Sequence, residues 1–86
     1  MEVRHFSELA ECAVRYALGR TTYVSYSVPA AITANMEFMS TKALKNIVRD
    51  VVDYKLGHGR IGMECDEESW MAFKARCEET IKEREA

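Results

Sequence analysis

This chain is poor in the residues that break or staple a fold. It has one proline and four glycines in 86 residues, so no Pro-rich or Gly/Ser-rich linker divides it into separate domains. No internal repeat or low-complexity tract is present. Its three cysteines, Cys12, Cys65 and Cys77, are odd in number and form no C-x-x-C pair. That excludes the dense, even disulfide framework of a small secreted domain. Cys12 and Cys77 fall on helical faces that look apolar and read as reduced, buried thiols. No apolar run approaches the roughly 20 residues of a membrane span, and Met1 to His5 lack the basic-then-apolar plan of a signal peptide. The expectation is a cytoplasmic protein with no membrane partner.

Positive charge is also scarce. Twelve basic side chains meet fourteen acidic ones, for a net charge of −2. Phosphate neutralisation supplies much of the affinity of a DNA-binding domain, so direct duplex binding is disfavoured. What the chain does have is 48% hydrophobic and 30% charged residues, the balance of a globular protein and not of a disordered one.

The apolar residues recur at helical spacing. Ser7 reads as an N-cap, followed by Glu8 and Glu11 where negative charge suits the helix dipole. Phe6, Leu9, Ala10, Ala13 and Ala17 form one stripe, which Val14 and Leu18 widen. The first helix is expected over residues 7–18, ending at Gly19. Thr21 to Val28 is rich in β-formers, but no second strand-like run exists to pair with it, so a helical or irregular segment is favoured. Ser27 then caps a turn with Pro29 near its start; this second helical region extends back to Thr22 at the earliest and bends near Pro29. Ser40 or Thr41 caps a third helix. Its apolar face is Leu44, Ile47, Val48, Val51, Val52 and Leu56, and Gly57 stops it. Asp66 caps a fourth, with Trp70, Phe73, Cys77 and Ile81 as its inner stripe, and Lys82 to Ala86 are expected to fray. The predicted fold is all-α: a compact four-helix single domain over residues 1–86, with Trp70, Phe73, Tyr16, Phe6 and the third helix's aliphatics in one core.

Several patterns invite a chemical reading. His58, Glu64, Cys65 and Asp66 share a loop, but zinc sites are usually built from close ligand pairs, and none is present. Cys65 precedes a helix start, which lowers a thiol's pKa, while Glu64, Asp66, Glu67 and Glu68 push it back up. Gly57 to Gly62 lacks the preceding strand and the Lys-Ser/Thr of a P-loop. No catalytic residue, metal ion or cofactor is therefore expected. Two clusters stand out as partner contacts: the acidic group Glu64, Asp66, Glu67 and Glu68, able to face a basic groove, and the basic–aromatic group Arg15, Arg20, Tyr23 and Tyr26. Met36, Phe38 and Met39 read either as core filling or as a soft exposed patch through which a homodimer forms.

Three segments in order carry a resemblance. Arg15-Tyr16-Ala17-Leu18-Gly19-Arg20-Thr21-Thr22-Tyr23 is followed by Arg49-Asp50-Val51-Val52-Asp53-Tyr54, then by Gly62-Met63-Glu64-Cys65-Asp66-Glu67-Glu68-Ser69-Trp70-Met71-Ala72-Phe73. Together they resemble a group of small bacteriophage and prophage proteins with an RYALGR-x-TY run, an RD-x-x-x-Y helix and a D-x-x-x-W-x-x-F ending. The chain departs from that pattern at Tyr23 to Val28. The resemblance implies a phage-encoded accessory protein and no reaction. By analogy with small phage proteins that block host defences, the expected function is inhibition of a CRISPR–Cas-type defence complex by occupying a protein surface. The expected partner is a host bacterial protein or ribonucleoprotein complex. The alternative is a small dimeric regulator acting on nucleic acid or transcription, its first two helices paired through Gly19.

Overall fold

The computed structural model describes residues 3–19, 23–58 and 67–86. Those residues form four α-helices and no strand: α1 (Val3–Leu18), α2 (Tyr23–Ala34), α3 (Thr41–His58) and α4 (Glu67–Glu85), with a 3₁₀ turn at Met36–Phe38 between α2 and α3. The all-α, four-helix fold expected from the apolar spacing is the fold observed. Around the bundle the order is α1, α2, α4, α3. α1 packs on α2 and α3, and α4 packs on α2 and α3, which leaves α1 and α4 across the bundle from each other.

The core is one cluster drawn from all four helices: Val14, Ala17 and Leu18 of α1, Ile32 of α2, Leu44, Ile47 and Val51 of α3, and Trp70, Phe73 and Cys77 of α4. Trp70 is 1% exposed and meets Phe73 edge to face at 5.9 Å. Met36 and Met39 are buried, so the methionines fill the core and do not form the exposed patch considered above. Phe38 is half-buried against Phe6, ring centroids 6.1 Å apart.

Hydrogen bonds fix the corner between α2 and α3. The Asn35 side-chain amide donates to the Ala31 carbonyl at 2.9 Å, satisfying an end group that α2 leaves open. The Ser40 hydroxyl accepts from the Ala43 amide at 3.1 Å, an N-cap for α3. Ser7 has a different role from the N-cap expected of it. α1 begins at Val3, and Ser7 is buried, accepting from the Ser40 amide at 2.8 Å and donating to the Phe38 carbonyl at 3.3 Å. Local sequence suggested a helix start; the serine instead serves a turn 31 residues away.

Other expectations also give way to tertiary geometry. Tyr16 and Leu9 are both 59% exposed and Leu56 is 80% exposed, because the neighbouring helices cover only part of the broad apolar arcs on α1 and α3. Cys12 is exposed, whereas Cys77 is buried as expected. Gly57 does not end α3, which runs on to His58. α2 is one helix through Pro29, a buried residue. The C-terminal end of α4 does not fray. Arg84 donates to the Met39 carbonyl at 2.6 Å, the Met36 carbonyl at 3.2 Å and the Thr41 hydroxyl at 3.3 Å, and Lys45 pairs with Glu85. Ser7 and Arg84 thus hold the 36–41 corner from opposite sides of the bundle.

Candidate interaction surface

Only part of the sequence-derived contact set falls among the described residues. Glu64, Asp66 and Arg20 lie outside the described residues. Tyr23 opens α2 and Glu67 opens α4. Glu68, in the same first turn of α4, is exposed and makes no ion pair among the described residues. Farther along α4, Glu78 pairs with Lys74 and Glu79 with Arg76. Arg15 sits on α1, across the bundle, and its guanidinium is already engaged. It lies 3.5 Å from Asp50 Oδ2 on α3 and donates to Cys12 Sγ at 3.5 Å. Asp50 Oδ2 is the one buried side-chain oxygen, among the described residues, without a hydrogen bond, so the pairing with Arg15 is its principal compensation.

The thiols divide by environment. Burial pushes Cys77 from an ordinary 9.0 up to about 12, with neighbouring Glu78 adding to the effect and Arg76 opposing it. A thiol so protonated is a core side chain and a poor nucleophile. Cys65 and the rest of the loop considered for metal binding lie outside the described residues. Among the described residues no three His, Cys, Asp or Glu side chains gather as metal ligands, and no helix is long and apolar enough to cross a membrane.

Sequence reasoning overlooked the least charged part of the molecule. No Asp, Glu, Lys or Arg occurs between Arg20 and Glu37, and α2 lies wholly inside that interval. Ser27, Ala30, Ala31, Thr33 and Ala34 are nonetheless exposed. An open groove flanks α2 on each side. Toward α1 it is lined by Phe6, Leu9, Ala13, Val28, Ala31 and Ile32. Toward α4 it is lined by Pro29, Ala30, Thr33, Ser69, Ala72 and Phe73. No charged residue lines either groove. The opposite side differs: the groove between α3 and α4 has Val48 and Ile81 as its floor and Lys45, Glu78, Lys82 and Glu85 at its rim. The signal for the α2 face was in the sequence as an interval without charge. A search for apolar stripes passes over it, because alanine and threonine contribute little to such a stripe.

Compared with known protein families, curated proteins and solved structures, this chain matches none.

Proposed function

We propose that this chain acts by binding other proteins, as a small accessory protein of the phage kind that inhibits a bacterial defence complex by occupying one of its surfaces. The observation that carries the protein-binding part is the exposed, uncharged face of α2 with its two apolar grooves. A helix without a charged face is ordinarily buried against protein, and contiguous apolar surface on a small domain marks an interaction site. The finer part, a CRISPR–Cas-type target, rests on the resemblance to phage proteins. The acidic opening of α4 supports it, since Glu68 is exposed and free to meet a basic groove.

The test uses a bacterial strain immune to a phage through CRISPR–Cas. Expression of this protein is expected to restore plaquing. A Glu67→Lys/Glu68→Lys variant with an unchanged circular-dichroism spectrum is expected to lose that effect. Immunity unaffected by the wild-type protein overturns the defence-inhibitor reading. Plaquing that survives the charge reversal removes the contact from the opening of α4.

A further inference from the structure

We infer that the corner at residues 36–41 is a two-sided latch, in which the clamp from α1 and the clamp from α4 close and open together. It joins two helices that lie across the bundle from each other. A change at the C-terminal turn of α4 therefore reaches the first half of α1 through the main chain of the corner.

The corner does not satisfy its own backbone. Its internal bonds run from the Phe38 amide to the Asn35 carbonyl at 2.9 Å and from the Met39 amide to the Met36 carbonyl at 3.0 Å. The Phe38 and Met39 carbonyls and the Ser40 amide are left over, and such groups need partners when water is kept from them. Each takes its partner from the side chain of a distant helix. The Ser7 hydroxyl donates to the Phe38 carbonyl at 3.3 Å and accepts from the Ser40 amide at 2.8 Å. The Arg84 guanidinium donates to the Met39 carbonyl at 2.6 Å and also reaches the Met36 carbonyl and the Thr41 hydroxyl.

The two sets of contacts interleave along the chain. Arg84 holds positions 36, 39 and 41, and Ser7 holds 38 and 40. The deciding element is the peptide group that joins Met39 to Ser40. Its carbonyl oxygen goes to Arg84 and its N–H goes to Ser7. A peptide group is one planar unit, with its C=O and N–H pointing in opposite directions. Turning it far enough to break one bond swings the other out of line. Independent fasteners would grip separate units; here both grip the same one.

The latch also sets the start of α3. The Ser40 hydroxyl accepts from the Ala43 amide at 3.1 Å, and the Ser40 carbonyl accepts from the Leu44 amide at 3.1 Å. Lys82, Glu83 and Glu85, around Arg84 in the last turn of α4, are exposed, so the outer handle of the latch is open to solvent. A molecule that draws Arg84 off the corner frees the Ser7 side with it.

Amide hydrogen exchange of the full chain, followed residue by residue by NMR, tests this. The reporter is the Ser40 amide, whose partner is Ser7 and not Arg84. Arg84→Ala should speed Ser40 exchange about tenfold or more, the effect of losing a hydrogen bond to a charged donor. The rise should exceed that of the Val51 amide, in the buried middle of α3. Ser40 exchange that stays unchanged, or that rises only in step with Val51, overturns the latch. Arg84→Lys keeps the charge without the forked donor set and gives the same comparison should the alanine variant unfold. Urea unfolding of Ser7→Ala, Arg84→Ala and the double variant supplies an independent reading. The double variant should lose folding equilibrium by a factor at least about fivefold smaller than the product of the two single losses, since the residues share one network. The full product would mark two independent clamps and overturn the inference.

Discussion

α2 and α4 are packed neighbours with opposite chemistry. α2 carries no charge over Tyr23–Ala34 and shows no apolar stripe set against a charged one. α4 carries ten charged side chains from Glu67 to Glu85, and confines its buried core residues to Trp70, Phe73 and Cys77 with Met71 and Ile81 beside them. Both have exposed positions along their length. On α4 those positions are finished for water, with pairs such as Arg76–Glu79. On α2 they are a serine, alanines and a threonine. Both helices bury a side against the common core, and their outer surfaces differ in charge.

The sharpest way to break this comparison is through the core residues the two helices contribute. Trp70→Ala on α4 should destabilise the fold by about 3–5 kcal/mol, and Ile32→Ala on α2 by about 2–4 kcal/mol, the range for large-to-small changes at closed sites. Urea unfolding measures both. If Ile32→Ala costs nothing, α2 is not a core helix and its exposed face needs another account.

A smaller effect separates the charges of α4 that hold the structure from those that only face water. Arg84→Ala should cost about 1–3 kcal/mol, because the carbonyls of Met36 and Met39 lose a charged donor. Arg76→Ala removes only a solvent-facing pair with Glu79 and should cost under about 0.5 kcal/mol. Equal costs in thermal unfolding would erase the distinction.

An effect confined to alkaline pH concerns Cys77. Its thiol is raised to about 12 in the fold, so above pH 9 the unfolded chain releases a proton that the folded chain keeps. The unfolded state then binds fewer protons, and stability falls as pH rises through that range. Full stability holds well below pH 9, and the loss should reach about 1.4 kcal/mol by pH 10. Cys77→Ala should show a shallower fall over the same interval. Parallel pH profiles would mean that Cys77 does not stay protonated in the fold.

Much of the architecture was legible because amphipathic periodicity is local. Leu44, Ile47 and Val51 at three- and four-residue steps mark the buried side of α3, and Trp70, Phe73 and Cys77 mark that of α4. Ser40 was readable as a cap because its partner, the Ala43 amide, is three residues away. Ser7 was misread because its partners lie more than thirty residues off. Arg84 was misread for the same reason, since a charged tail looks solvated until the corner it clamps is in place. The acidic contact group was legible as a run of like charge, but that Glu68 and Arg15 sit on helices across the bundle from each other was not, because the ring order of the helices is a property of the packed bundle.

The chain's composition and spacing alone determined that it would be helical, with a tryptophan-bearing interior, since each helix declares its buried side through contacts one turn apart. Which of the two sides of a broad apolar arc stays wet, leaving Tyr16 and Leu9 outside, was decided only when the helices met, because burial is a relation between elements. The uncharged exposure of α2 belongs to both levels: the sequence withheld the charges, and packing in the bundle turned that interval into a surface.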